Sequence, residues 1–299
     1  MNIQWYPGHM TKTRRQMEAD LKLIDLVAEV IDARIPISSR NPDIDNIVGN
    51  KPRLIILNRA DQADPAGNKA WGGYFRSKGM AVLETDAKTG KGVEKFSSTV
   101  QSALAEEIAR WRAKGQVGRP VRAMVVGVPN VGKSTFINKV AKRKSAKAGD
   151  KPGVTRGKQW VAVDQSLDLL DTPGILWPKF EDPRTGMNLA FTGAVKDDIL
   201  DSETLASHLM TLLAQRYPGA LTERYKIAPP SWEEVCSQCD EQSAPVVYGY
   251  EVLQLAAQKR GFLISGGEAD TERMARILLD EFRGGKLGAF TLEWPEEKA

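Results

Sequence analysis

"RAMVVGVPNVGKSTFINKVAK", residues 122 to 142, is an apolar β-rich run, a glycine-bearing loop and a helix-forming segment in immediate succession. The loop satisfies G-x-x-x-x-G-K-[ST], and a strand before it with a helix after it is the context that motif demands. Gly127 and Gly132 let backbone N–H groups close around a phosphate, Lys133 brings an ammonium to the β- and γ-phosphates, and Ser134 offers a hydroxyl to magnesium. The candidate phosphate-binding set is Pro129, Asn130, Val131, Gly132, Lys133, Ser134 and Thr135.

Working outward, "LIDLVAEVID" (23 to 32), "PRLIILN" (52 to 58) and "MAVLET" (80 to 85) are β-rich runs separated by amphipathic stretches. This is the pattern of a mostly parallel sheet with helices on both faces, an α/β architecture. "QWVAVD" and "LDLLD" are close enough for a hairpin around "QS", which predicts one antiparallel edge strand. "MTKTRRQMEADLKL" reads as a leading helix. After about Lys179 the chain turns to helices without strands, and in the last of them Met274, Ile277, Leu278 and Phe282 share one face before Gly284-Gly285 stops it. The expected division is a nucleotide-type domain over 1–180 and a linker with a small all-helical C-terminal domain over 181–299.

Composition fits a globular protein: 299 residues, 41% hydrophobic and 27% charged, with no apolar run of the eighteen or so residues that a membrane span needs. The N-terminus lacks the apolar core of a secretory signal, so a cytoplasmic protein is expected. Cys236 and Cys239 form a lone C-x-x-C, two ligands short of a zinc site, with His9 and His208 far away in sequence. Net charge is 42 minus 38, or +4, but its distribution says more: Lys139 to Lys158 carries eight Lys or Arg against one Asp.

Downstream of the loop, "LDLLDTPG" puts Asp171 at a strand end, able to hold magnesium through water, and Gly174 just beyond, with a free N–H for a γ-phosphate. "PGVT" supplies Thr155, whose hydroxyl reaches the metal only if its loop folds over the nucleotide. Thr155 and Gly174 are candidate sensors of the third phosphate. Upstream, "LNRAD" and "TDAK" each follow a strand. Asp61 can accept from N1–H and the exocyclic amine of guanine, groups that adenine lacks; a site built for them rejects the analogue by roughly 10⁴ to 10⁵. Asn58 would tie this loop to the phosphate loop and to the base, and Arg59 would cover the ring. Thr85, Ala87 and Lys88 would complete the pocket, with the Ala87 N–H toward the guanine oxygen.

The order is base, base, phosphate, switch, switch: the ordinary GTPase order cut open and rejoined, which a sheet tolerates because contacts depend on position in space. On "WYPGHM" (5 to 10), "DARIPISSRNP" (32 to 42), "LNRAD", "TDAKTGKG", "GVPNVGKS", "PGVT" and "DTPG", the chain resembles the circularly permuted GTPases of the bacterial ribosome biogenesis GTPase A (YlqF) group. It departs in carrying Arg59 where lysine is common there.

The resemblance implies GTP and GDP as ligands with Mg2+, a large-subunit (50S) and rRNA partner, a monomer, and an RNA- or ribosome-interacting helical domain. It implies a role in hydrolysis for His9. Ile175 stands where many GTPases keep a water-orienting glutamine, so slow intrinsic turnover is expected, completed by His9, by the ribosome, or by a K+ ion held near Asn130. The basic stretch would grip RNA in one nucleotide state and release it in the other. The rivals are a P-loop kinase or ATPase, a GTPase of tRNA modification, and an RNA-binding module with a weakly active nucleotide site.

Overall fold

The computed structural model describes residues 9–141, 159–174, 180, 182–195 and 201–295. The chain runs α1 (His9–Asp20), β1 (Leu26–Asp32), α2 (Asp43–Val48), β2 (Arg53–Asn58), α3 (Pro65–Ser77), β3 (Ala81–Thr85), α4 (Phe96–Ala103) and α5 (Ala105–Ala113). It continues through β4 (Val121–Val126), α6 (Lys133–Ala141), β5 (Gln159–Asp164), β6 (Leu167–Asp171) and α7 (Pro183–Phe191). Helices α8 (Ser202–Arg216), α9 (Pro218–Tyr225), α10 (Trp232–Cys236), α11 (Ala244–Lys259) and α12 (Thr271–Arg283) follow. By contacts the chain forms two units, 1–185 with 293–299, and 186–292.

The first unit is a six-stranded sheet in the order β3-β2-β1-β4-β6-β5. Every pairing is parallel except β5 with β6, whose hairpin turns where the Asp164 carboxylate accepts from Ser166 N at 2.7 Å and Ser166 Oγ at 2.6 Å. Crossovers through α2 and α3 run one way along the sheet and those through α4–α5 and α6 the other; right-handed connections therefore lay helices on both faces. With both faces covered, β1 is buried at all seven positions, which explains its continuous apolar reading. Its mid-strand acid, Glu29, is neutralised by Arg53 at 2.6 Å and Arg40 at 3.1 Å. On one face Ile31, Ile55 and Leu57 pack with Trp71 and Phe75 of α3; on the other, Phe96 meets Phe136 edge-on at 5.1 Å.

The strand order decides where chemistry can sit. β1 and β4 are neighbours, and chain direction along the sheet reverses between them, so the loops after β1 and β4 part and leave a crevice at the carboxyl ends of the strands. Asp32, Asn58, Thr85, the phosphate loop and Asp171 all lie at those ends.

The last described residues belong to this same unit, where the sequence reading ran the second domain to the chain end. The Glu293 carboxylate accepts from Ile37 N at 2.8 Å and Ser38 N at 3.0 Å, and its carbonyl accepts from Trp71 Nε1 at 2.7 Å.

The second unit is helical. Asp201 caps α8 by accepting from Glu203 N and Thr204 N, and α8 packs on α11 where Gly249 meets the backbone: a Cβ there would lie 1.8 Å from Ser207 O. In α12, Met274, Leu278 and Phe282 are buried as the periodicity predicts, but Ile277 is half-exposed and Leu279 takes its place. A buried Glu281 gathers Arg224, Tyr225 and Arg260.

Candidate nucleotide site

The phosphate loop leaves β4 at Val126 and enters α6 at Lys133. Its glycines are fixed by what surrounds them. A Cβ on Gly127 would fall 2.6 Å from Val30 O, and one on Gly132, whose φ is +91°, would fall 2.3 Å from Asn58 Nδ2. Asn130 also sits in the left-handed region, at φ 61°. The loop is thus a backbone cradle with no room for side chains at two points, which is what a phosphate approached by N–H groups requires.

Asn58 does what the sequence predicts for it, tying base loop to phosphate loop: it is buried and its Nδ2 donates to Val131 O at 2.7 Å. Its Oδ1 accepts from Thr85 Oγ1 at 3.2 Å and from Ala87 N at 3.0 Å. The Ala87 N–H, expected to face the base oxygen, is therefore directed at Asn58, and a base would have to share it. Arg59, at φ 57°, donates from Nη2 to Asn130 O at 2.9 Å. It serves as a second tether to the loop where ring coverage was expected. Lys88 is exposed on a turn that Asp86 caps through Lys88 N at 2.9 Å.

Behind Arg59 lies a buried ion pair, Asp32 with Arg34, at the head of the "DARIPISSRNP" stretch. Asp32 is buried, accepting on Oδ1 from Arg34 Nε at 2.9 Å and on Oδ2 from Nη2 at 2.7 Å, with Arg59 Nε 3.8 Å from that same Oδ2. Burial pushes the Asp32 carboxyl upward, but the Arg34 charge and hydrogen bonds, with Arg59, hold it below the ordinary range. The signal that could have found it is an Asp and an Arg two apart at a strand end, within a stretch rich in other polar residues.

Asp61 is exposed, and its carboxyl is raised by partial desolvation and by the Asp86 charge. On the other side of the loop, Lys133 is 7% exposed and paired with Asp171. The two groups expected to hold phosphate and metal hold each other. The "DTPG" turn lies directly against the loop: Thr172 Oγ1 donates to Val125 O at 2.7 Å, and a Cβ on Gly174 would lie 3.0 Å from Pro129 N. Ser134 and Thr135 are exposed at the start of α6.

Thr155 and Ile175 lie outside the described residues, as do the His9 side chain and most of the basic stretch; His9 is the first residue of α1. Cys236 is buried and donates to Ala244 O at 3.4 Å; Cys239 is partly exposed. Among the described residues no cluster of three or more His, Cys, Asp or Glu could hold a metal ion.

Comparison with known proteins agrees with this geometry. A family model described as "50S ribosome-binding GTPase" matches residues 122–217, which begin one residue into β4 and leave the base-side strands upstream, as a permuted chain requires. "Ribosome biogenesis GTPase A" of Priestia megaterium is 46% identical over 298 residues, covering 99% of this chain and 98% of the relative. Two solved structures of YlqF from Thermotoga maritima are each 26% identical. The GDP-bound one has a TM-score of 0.63 over 94% of this chain and 100% of that one. The GNP-bound one has a TM-score of 0.61 over 95% and 99%.

Proposed function

The chain belongs to the ribosome biogenesis GTPase A family, and from that premise we propose that it is an assembly factor for the large ribosomal subunit that binds pre-subunit rRNA in the GTP state and leaves on hydrolysis. The observation that carries the nucleotide half is the double tether of Asn58 to Val131 O and Arg59 to Asn130 O. It joins the Asn58–Asp61 turn to the glycine loop at one crevice although roughly seventy residues separate them in sequence, which supports reading the two as one nucleotide site.

Asp61 accepts from guanine N1–H and amine, and the cradle around Gly127 and Gly132 receives the β-phosphate. Nucleotide entry breaks the Lys133–Asp171 pair, freeing Lys133 for the phosphates. Ser134, Asp171 and Thr155 are a hard oxygen set suited to magnesium, which when bound neutralises charge on the transferring phosphoryl group. Gly174 reports the third phosphate from its place beside Pro129. With isoleucine at 175, water positioning falls to His9, to a K+ ion near Asn130, or to the ribosome. The rival that uses a reactive cysteine in tRNA modification loses support, because burial, with the neighbouring Cys239, pushes the Cys236 thiol pKa up.

The test is GTP turnover with and without purified large subunits, in potassium and in sodium, beside co-sedimentation with GDP or a non-hydrolysable GTP analogue. Faster turnover with subunits and tighter binding with the analogue are expected. Equal rates in all four turnover conditions would refute the partner-completed mechanism.

A further inference from the structure

At the opposite end of the sheet from the nucleotide, "RWRAKGQVGRPVR", residues 110 to 122, carries five Arg or Lys and no acid. Helix α5 buries none of its residues completely. Between it, the start of β4 and the β5–β6 turn lies a cavity of about 240 Å³, lined by Trp111, Arg112, Gln116, Arg119, Gln165 and Ser166 among others. The Arg119 guanidinium lies over the Trp111 ring at 4.1 Å, and Arg122 over Trp160 at 5.7 Å, with Trp160 40% exposed. Two of the cations are compensated, Arg119 by Asp25 at 2.8 Å and Arg110 by Glu107 at 2.9 Å. Arg112, Lys114 and Arg122 form no side-chain ion pair among the described residues.

We propose that this face binds single-stranded RNA, with one base stacked at the Trp111–Arg119 cavity, another on the exposed Trp160 ring, and the phosphates following Arg112, Lys114 and Arg122. Single strands are held by positive grooves interleaved with aromatic platforms, because every base has a π-face while the backbone supplies charge. The cavity is large enough: a dry cavity of ~150 Å³ already accepts a benzene ring. Glutamine amides at its rim match the mixed donors and acceptors of a base edge. An acidic protein would satisfy the cations but would leave the exposed Trp160 ring and the Trp111-lined cavity without a purpose. The choice of RNA rests on the ribosome-assembly reading. The location has a consequence: β4 starts at Val121 beside the cavity and ends where the phosphate loop begins, roughly 17 Å away at the usual strand rise. This face and the nucleotide site are therefore separable by substitution.

The experiment is fluorescence anisotropy of a labelled 12-nucleotide single-stranded RNA with the full chain, a duplex RNA of equal length, and the variants Arg112→Ala/Lys114→Ala/Arg122→Ala and Trp160→Ala. All four positions are exposed, and GTP turnover and melting temperature should match the parent. The triple variant should bind the single strand at least tenfold more weakly, with a salt slope shallower by about 2, as removal of three phosphate contacts at about 0.7 each requires. Trp160→Ala should lose roughly fivefold or more, the contribution of one stacked base, and parent-like binding by this variant would overturn stacking on that ring. Parent-like binding by the triple variant, no binding by the parent, or preference for the duplex would overturn the proposal. Subunit co-sedimentation is scored separately: if the parent binds the oligonucleotide at this face yet ignores large subunits, the ribosomal reading fails and this one stands. If the triple variant loses subunits while the parent ignores the oligonucleotide, the face belongs to a protein partner.

Discussion

The two sides of the nucleotide crevice are built differently. On the base side, Asn58 spends both ends of its amide on Val131 O, Thr85 and Ala87, and Arg59 reaches Asn130 O, so the reader is locked before any ligand arrives. On the phosphate side, Lys133 and Asp171 hold each other in a pair that, on the reading proposed above, nucleotide opens. On that same reading, a site with one preformed half and one exchangeable half would recognise its base with little reorganisation and would put conformational change where Gly174 meets the third phosphate. That is the division a switch protein needs.

The largest effect that can break this comparison is a change in what the locked half reads. Asp61→Asn exchanges two acceptors for an acceptor and a donor, matching the N1–H and C2 carbonyl of xanthine and leaving the exocyclic amine of guanine facing an amide N–H. Preference for guanosine over xanthosine triphosphate should fall by roughly 10⁴, measured as the ratio of dissociation constants. An unchanged ratio would mean that Asp61 does not face the base and that the two halves do not share one ligand.

Next in size is Gly132→Ala, which strikes the seam between the halves. The new methyl would sit 2.3 Å from Asn58 Nδ2 at a φ of +91°, so either the Asn58 tether or the loop must move. Breaking the tether leaves buried polar groups unpaired at about 1–3 kcal/mol. Nucleotide affinity should drop about a hundredfold and the melting temperature should fall. A variant that lost affinity with its melting curve intact would show that the base side is not locked in advance.

The strands, the hairpin and the motif residues were legible in the sequence because they are local: burial on both faces writes a continuous apolar run, and a phosphate cradle needs glycines at fixed spacing. Asn58 could be assigned its tether because its residue type and position at a strand end suffice. Arg59 could not, since its partners Asp32 and Asn130 come from two other strand ends. The redirected Ala87 N–H and the return of Glu293 to the 37–38 amides, across more than 250 residues, were illegible for the same reason. The substitution of Leu279 for Ile277 in the α12 core is subtler: both lie near one helical stripe, and only the position of the neighbouring helices decides between them.

A third expectation concerns pH and separates the halves by their titration. Partial desolvation and Asp86 raise the Asp61 carboxyl, so as pH falls Asp61 gains its proton earlier than an ordinary aspartate and loses its charge and one of the two acceptors that guanine uses. GDP affinity should therefore decline on acidification by up to about tenfold per pH unit below the raised value. The phosphates of the ligand titrate as well, so the comparison is with Asp61→Asn binding xanthosine diphosphate, in which the Asp61 component must disappear. Identical pH profiles for the two pairs would place the titration on the phosphate side.

The smallest effect is the most specific to this chain. Arg59→Lys keeps the charge but replaces a planar fork with a point donor, which cannot bond Asn130 O while facing the Asp32 carboxylate from a second nitrogen. One neutral-acceptor hydrogen bond is lost or loosened, so GDP release should quicken by about threefold to tenfold, corresponding to roughly 1 kcal/mol. The melting temperature should barely move, because Arg34 still pairs with Asp32 through two nitrogens. Stopped-flow release of a fluorescent GDP analogue resolves such a change. If the lysine variant released nucleotide at the parent rate, the tether between Arg59 and the left-handed Asn130 turn would add nothing to Asn58, and locking of the base side would rest on that amide alone.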